Sequence, residues 1–113
     1  MIIIYHNPRC RKSREGLAIV QESGQSVKVV EYLKEPPTKS ELKAILGYLG
    51  LAAQDIIRKN EKLYKEEFKG KELTESQWLK ALVENPILIE RPIVVKGNKA
   101  RLGRPPEAIK ELL

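Results

Sequence analysis

The sequence predicts an α/β fold in which a mixed sheet is flanked by helices. Near the start, an apolar run, a helical stretch and a second apolar run follow one another, the order of a parallel strand-helix-strand unit. Near the end, a two-residue Gly-Asn turn joins two strand-like runs, which predicts an antiparallel hairpin. Residues between these parts carry helical periodicity, so we expect one domain over residues 1–113 with a helical insertion at about 38–85.

The first unit begins with a short strand over residues 2–5, a continuous apolar run that Asn7-Pro8 interrupts. Such a run is typical of a strand that is buried on both faces. Good helix formers then extend from Pro8 to Gly24, and a glycine is common just beyond a helix C-terminus. A second strand is predicted over residues 27–32, which are rich in valine.

The insertion is predicted to contain two capped helices. Thr38-x-x-Glu41 and Thr74-x-x-Gln77 both match the capping box, and Gly50 is expected to end the first of these helices. The apolar positions that follow the two boxes repeat at helical spacing: Leu42, Ile45, Leu46 and Leu49, then Trp78, Leu79, Leu82 and Val83. Residues 52–72 are dense in Lys and Glu, which indicates short, solvated helices.

The last part of the chain is predicted to form the hairpin and a closing helix. Strands over 92–96 and 99–102 flank the Gly97-Asn98 turn. Pro105-Pro106-Glu107 can start the final helix. That helix is expected to bury Ile109, Leu112 and Leu113.

Composition limits the classes of function. The chain is 42% hydrophobic and 32% charged, as expected of a globular protein, and its net charge of +6 should attract anions. Aromatic residues make up only 5%, and basic residues alternate with acidic ones, which argues against nucleic-acid binding. The opening apolar run is too short for a signal sequence and no longer run could cross a membrane, so we expect the cytoplasm.

The only cysteine, Cys10, lies in the stretch H-N-P-R-C-R-K-S-R, where the first helix should begin. A helix N-terminus and nearby cations both lower the pKa of a thiol, and the same N–H groups can bind an oxyanion. The neighbouring cations are Arg9, Arg11, Lys12 and Arg14, which fan around the helix and cannot all face the thiol. Cys10 could instead be a small core residue beside a solvated face, but a polar turn favours a reactive thiol.

Two nearby side chains could support that thiol. His6 could stabilise a thiolate or merely end the first strand, and one His with one Cys is too few for a typical zinc site, so no metal is predicted. Ser13 takes the second place of C-x-x-S and could donate a hydrogen bond to a thiolate. A disulfide within the chain is impossible, so an external thiol must reduce any oxidised Cys10.

Four segments together resemble the arsenate reductase family that uses glutathione and glutaredoxin. They are YHNPRCRKSRE, VVEYLKEPPTKSELK, IIRKNEKLYKE and ENPILIERPIVVKGNKARLGRPPE, and they cover nearly the whole chain in order. The resemblance implies a thioredoxin-like fold with a helical insertion and Cys10 as the catalytic nucleophile. It also implies that Arg58, Arg91 and Arg104 bind the oxyanion, and that a cis Arg91-Pro92 bond presents Arg91 to the site. Guanidinium groups suit this task because they pair bidentately with oxyanions and stay charged.

The chemistry that the resemblance implies is reduction of arsenate to arsenite, with arsenate or a related oxyanion as the bound substrate. Glutathione would be a co-substrate, glutaredoxin a protein partner, and no cofactor would be bound. Supporting residues around the loop would be His6, Asn7, Arg9, Ser13 and Pro92. Arg11 and Lys12 depart from the family's small or polar residues at the helix start, which leaves the substrate open.

Two alternatives to arsenate reduction remain. One is an Spx-like regulator that binds RNA polymerase, although such regulators commonly carry C-x-x-C where this chain has Ser13. The other is a related thiol-dependent reductase that acts on a different substrate.

Overall fold

A computed structural model describes all residues from 1 to 113, and the chain divides into two compact units. The first unit comprises residues 1–35 together with 91–113, and the second comprises residues 36–90. The predicted insertion at about 38–85 lies inside the second unit.

The first unit is built on a four-stranded mixed sheet. Its strands are β1 (Ile2–His6), β2 (Val27–Glu31), β3 (Ile93–Lys96) and β4 (Lys99–Leu102), in the order β2-β1-β3-β4. β1 runs parallel to β2 and antiparallel to β3, and β3 pairs antiparallel with β4. Helix α1 (Arg11–Glu22) connects β1 to β2, and a 3₁₀ helix (Pro106–Leu112) closes the chain. The predicted mixed sheet with flanking helices is therefore confirmed.

One face of this sheet carries the core of the first unit. Its buried members come from the strands, from α1 and from the closing 3₁₀ helix: Ile2, Ile4, Val20, Val94, Ile109 and Leu112. Burying each such side chain contributes about 1.5–3 kcal/mol. The alternate residues of β1, Ile3 and Tyr5, are only half buried. The prediction that β1 is buried on both faces is therefore wrong, because the two helical elements cover the face of Ile2 and Ile4.

The hairpin turn shows why a glycine stands at position 97. Gly97 has a φ of 63°, a backbone conformation that residues with a Cβ rarely adopt. In line with this, no residue other than glycine has a positive φ in this chain. A positive φ at the first turn residue, without a positive φ at the second, matches a type II′ turn, the kind that suits the twist of paired strands.

The second unit contains three α-helices and two 3₁₀ helices. They are α2 (Lys39–Leu49), a 3₁₀ helix (Ala53–Ile56), α3 (Lys62–Glu67), α4 (Glu75–Glu84) and a 3₁₀ helix (Pro86–Leu88). Helices α2 and α4 bury the predicted apolar positions except Leu49 and Val83, which are half buried. No residue of α3 is buried, in line with the predicted solvated helices.

Both predicted capping boxes are present. The Glu41 N–H donates to Thr38 Oγ1 at 3.1 Å, and the Thr38 N–H donates to the Glu41 carboxylate at 3.0 Å. The equivalent distances for Thr74 and Gln77 are 3.2 and 2.8 Å. Each box satisfies two N–H groups that a helix start would otherwise leave unpaired. None of the helices has the length and apolar character needed to cross a membrane.

Candidate active site

The site is centred on Cys10, in the loop that joins β1 to α1. Cys10 is the residue before the helix, with an extended backbone (φ −97°, ψ 122°), and its thiol is partly exposed. Two hydrogen bonds shape the loop: the Cys10 N–H donates to the Asn7 carbonyl at 3.0 Å, and the Arg9 N–H donates to Asn7 Oδ1 at 3.0 Å. The predicted position of the thiol at a helix start is confirmed.

The surroundings of Cys10 favour the thiolate. Partial burial alone raises the pKa of the thiol, but the backbone N–H of Ser13, the Arg91 side chain and the backbone N–H of Lys12 together outweigh it. The pKa of Cys10 is therefore lowered from its ordinary value. A thiolate is the reactive form of cysteine, both as a nucleophile and in disulfide exchange.

Two arginines that are distant in sequence lie beside the thiol. Arg91 precedes β3 and is buried, with 9% of its surface exposed, and its side chain contributes to stabilising the Cys10 thiolate. Arg104 follows β4, is exposed, and places Nη2 3.7 Å from Cys10 Sγ. Arg104 Nε donates to the Arg91 carbonyl at 3.0 Å, which fixes the plane of its guanidinium. The site thus combines a nucleophile with two cations that could hold an oxyanion.

Pro92, the residue after Arg91, packs against α1 and against the segment that carries Arg104. The Arg91-Pro92 bond is cis, as the resemblance implied, and the Arg104-Pro105 bond is also cis, which was not expected. The Pro92 ring packs between the backbones of Gly16 and Gly103: a Cβ added at either glycine would lie 2.8 or 2.6 Å from Pro92 Cγ. The Gly103 N–H also donates to the Pro92 carbonyl at 2.8 Å. Glycine at both positions therefore allows the two arginine-bearing segments to approach the start of α1.

His6 and Ser13 form a buried pair beneath the loop. Their Nδ1 and Oγ atoms lie 2.6 Å apart, and the Ser13 hydroxyl also accepts the Asn7 N–H at 2.9 Å. Burial lowers the pKa of His6 despite the opposing charge of Glu31 on β2. The Ser13 hydroxyl is thus engaged with His6 and Asn7. Ser13 supports the Cys10 thiolate through its backbone N–H instead. Asn7 shapes the loop through its own carbonyl and side-chain oxygens.

Most of the cations next to Cys10 in sequence act locally. Arg11 forms an exposed ion pair with Glu15 at 3.0 Å, and Arg14 donates to the Pro8 carbonyl at 2.9 Å. Arg9 and Lys12 are exposed. Ion pairs at exposed positions contribute little to stability, so Arg11 is ordinary surface charge, whereas Arg14 ties the loop to α1.

Arg58 lies in the second unit, where two carboxylates hold it. Its guanidinium pairs with Glu61 and, through Nε, with Glu90 at 3.4 Å. Its backbone N–H donates to the Leu88 carbonyl at 2.8 Å, next to an isolated bridge between Ile57 and Ile89. Arg58 is one-fifth exposed, so this is a largely buried ionic cluster.

Several contributors to the site are absent from the sequence predictions. The hydrogen bond from Arg14 to the Pro8 carbonyl and the two glycines that contact Pro92 are evident only in the folded chain. An isolated glycine in a helical pattern often has a packing reason, and Gly16 provided that signal. No group of three His, Cys, Asp or Glu side chains is placed to hold a metal ion.

Comparison with known proteins identifies the family and supports the fold. The model of the ArsC family matches residues 5–112. The chain is 46% identical over 114 residues to an arsenate reductase of Neisseria meningitidis, covering 99% of this chain and 97% of the relative. It is also 46% identical over 112 residues to the uncharacterized protein YfgD of Escherichia coli, covering 97% of this chain and 94% of the relative.

A solved structure of an arsenate reductase from Vibrio cholerae superposes with a TM-score of 0.94 at 45% identity. The match covers 99% of this chain and 97% of that one. The family match spans the Cys10 loop, strands β2, β3 and β4, and both arginine-bearing segments. This chain therefore has the thioredoxin-like α/β fold and belongs to the ArsC family, the family of arsenate reductases.

Proposed function

We propose that this protein is an arsenate reductase in which the Cys10 thiolate attacks arsenic. The observation that carries the proposal is the convergence of a thiol of lowered pKa with Arg91 and Arg104. Arsenate is a tetrahedral oxyanion, and guanidinium groups bind such anions with charge-assisted hydrogen bonds. The family relatives named arsenate reductase support the choice of substrate.

In the first step the Cys10 sulfur forms a bond to arsenic(V), and one arsenate oxygen leaves as water after taking up protons. Arg104 is the arginine that an incoming anion meets, because it is exposed and 3.7 Å from the sulfur. Arg91 supplies buried positive charge, which acts more strongly because the surroundings are less polarisable than water. Both cations stabilise negative charge as the sulfur–arsenic bond forms.

The second step transfers two electrons to arsenic. The glutathione thiol forms a disulfide bond with Cys10, the sulfur–arsenic bond breaks, and arsenic leaves as arsenite in the +3 state. In the third step a glutaredoxin thiolate attacks the glutathione sulfur and releases the Cys10 thiolate. The chain has no second cysteine, so this external thiol is required. The cycle needs a reducing compartment, and we place it in the cytoplasm.

The test is arsenite release by the purified protein with glutathione, glutaredoxin and NADPH-driven recycling of glutathione. Wild type should release arsenite, and Cys10→Ser should release none above background. Arg104→Lys should raise the KM for arsenate, because lysine keeps the charge and loses the bidentate geometry. Arg11→Lys is the matched control, since Arg11 pairs only with exposed Glu15, and it should leave the rate unchanged.

The outcomes separate the nucleophile from the substrate. Equal rates for wild type and Cys10→Ser would refute the role of Cys10. No arsenate-dependent rate in wild type, with Cys10 still rapidly glutathionylated, would indicate a thiol-dependent reductase of another substrate, a reading that the similarity to YfgD keeps open.

A further inference from the structure

A small cavity opens beside the Cys10 loop, at the carboxyl ends of the parallel strands β1 and β2. It measures about 220 Å³ and is lined by residues of the loop, by Glu31 at the end of β2, and by Leu33 and Lys34 just beyond it. His6 and Glu31 are partners in the strand register, so the cavity begins where the two strands end. The carboxyl ends of parallel strands are a common place for ligands to bind.

The lining combines opposite charges with an apolar wall. Glu31 and Lys34 form an ion pair at 3.7 Å, in which the side chains are 43% and 79% exposed. An ion pair this exposed has little intrinsic stability, so a ligand can replace either partner. Arg9 also lines the cavity, and its guanidinium makes no hydrogen bond or ion pair with the protein. Pro8 and the exposed Leu33 supply the apolar part.

We propose that this cavity binds the α-amino acid end of the peptide thiol that reacts with Cys10, namely the γ-glutamyl group of glutathione. Glu31 accepts hydrogen bonds from the ligand's ammonium group, and Lys34 with Arg9 pairs with the adjacent carboxylate. The inference rests on the proposed use of glutathione and adds a recognition site for it.

Size and position agree with one end of a tripeptide. Pockets that enclose a whole drug-sized ligand measure about 300–1,000 Å³, so a smaller cavity suits a single amino acid group. Arg9, which lines the cavity, is the residue next to Cys10. Since neighbouring Cα atoms are about 3.8 Å apart, the cavity lies close to the residue that carries the thiol. The charges of Arg9, Lys34 and Glu31 leave the lining with a net positive charge, which suits a peptide with two carboxylates and one ammonium group.

The test uses disulfide exchange at Cys10, which does not involve arsenate. The Cys10 thiolate attacks a symmetrical disulfide, forms a mixed disulfide, and releases one thiolate. The substrates are the oxidised forms of glutathione, of γ-glutamylcysteine, which keeps the amino acid end, and of cysteinylglycine, which lacks it. The rates are compared for wild type, Glu31→Gln and Lys34→Gln, with Glu35→Gln and Lys28→Gln as charge-matched controls outside the cavity.

Each cavity variant should slow exchange with glutathione and γ-glutamylcysteine by about tenfold, which corresponds to roughly 1.4 kcal/mol. The cavity variants should exchange with the cysteinylglycine disulfide at the wild-type rate. Both control variants should exchange with all three disulfides at the wild-type rate. Equal slowing with all three disulfides, or in the controls, would overturn the inference and indicate general electrostatics. Slowing with glutathione and cysteinylglycine, but not with γ-glutamylcysteine, would overturn it in favour of the glycyl carboxylate.

The exchange test does not require arsenate turnover, so the cavity and the proposed function can fail separately. A wild type that reduces no arsenate yet shows the expected exchange pattern supports the cavity while refuting the proposed function. The reverse result is also informative. If wild type reduces arsenate, and Glu31→Gln and Lys34→Gln have the same KM for glutathione as wild type, the proposed glutathione site is refuted and the proposed function stands.

Discussion

Gly103→Ala should destabilise the first unit, because the backbone at Gly103 touches buried side chains. A Cβ at this position would lie 2.6 Å from Pro92 Cγ and 2.9 Å from Ile109 Cδ1, against an optimum of about 3.5–4.0 Å between carbon atoms. Neither neighbour can withdraw easily: Ile109 is fully buried, and Pro92 is confined by Gly16 on its other side. Overpacking of this kind costs about 1–3 kcal/mol.

The assay is thermal unfolding followed by circular dichroism. For a chain of this length, 1 kcal/mol shifts Tm by about 4 °C, so Gly103→Ala should lower Tm by roughly 4–12 °C. Gly47→Ala is the matched control, because a Cβ there meets nothing within 4 Å and the residue lies inside α2. Alanine at that helical position should raise stability by about 0.5–1 kcal/mol. Equal shifts in both variants, or no shift in Gly103→Ala, would refute the packing argument.

The same substitution should reduce activity beyond its effect on stability. Moving Pro92 also moves Arg91, whose carbonyl holds Arg104 at 3.0 Å. Misplacing a catalytic group by about 1 Å can cost roughly a hundredfold in rate. Measured where both proteins are fully folded, kcat/KM should fall in Gly103→Ala and remain at the wild-type value in Gly47→Ala. Unchanged kcat/KM in Gly103→Ala would show that Pro92 does not position the arginines.

Three further predictions concern the loop. The rate of Cys10 alkylation should have a pH midpoint below about 8.5, and Arg91→Gln should raise it; a wild-type midpoint at or above 8.5 would contradict the electrostatic argument. Burial lowers the pKa of His6 in the folded protein. The stability that the neutral imidazole contributes is therefore fully present above the unfolded-state pKa of about 6.5, and it is lost as pH falls from there through the folded-state pKa. Urea unfolding across this range should show that slope in wild type and a flatter one in His6→Asn, and parallel slopes would exclude His6 as the cause. Ser13→Ala should cost about 1–3 kcal/mol in urea unfolding, since the buried Asn7 N–H loses its acceptor, and a cost near zero would mean that another group replaces it.

The features that sequence predicts well are those decided within a few residues. The capping boxes at Thr38 and Thr74 depend on one side chain and one N–H three positions later, so their pattern is complete in the sequence. The Gly97 turn is likewise determined locally, by the need for a positive φ. Such elements follow from local chemistry alone and were confirmed.

The burial of β1 could not be read in the same way. An apolar run shows that a strand can be buried on both faces, but the outcome depends on what packs there. Helix α1 and the closing 3₁₀ helix cover Ile2 and Ile4, while Ile3 and Tyr5 stay half buried. Hydrophobicity tolerates partial exposure, so the sequence could not distinguish one covered face from two.

The cations of the site were the hardest to identify from physical reasoning, since the chain holds 21 lysines and arginines. Proximity in sequence favoured the residues around Cys10, yet Arg11 pairs with Glu15 and Arg14 with a loop carbonyl. Only the family resemblance pointed to Arg91 and Arg104. The structure brings these two to the thiol, whereas Arg58 is held by Glu61 and Glu90 within the second unit.

Burial explains why the distant arginine acts on the thiol. The attraction between two charges grows as the surroundings become less polarisable, so a buried guanidinium influences a thiolate more than an exposed one at a similar distance. Arg91 is almost fully buried, and it lowers the pKa of Cys10 alongside the backbone N–H groups of Ser13 and Lys12. The exposed Arg11 is screened by water and by its own carboxylate partner. Charge counted along the loop therefore overstates its effect on reactivity, because the position of a cation relative to the thiol decides how strongly it acts.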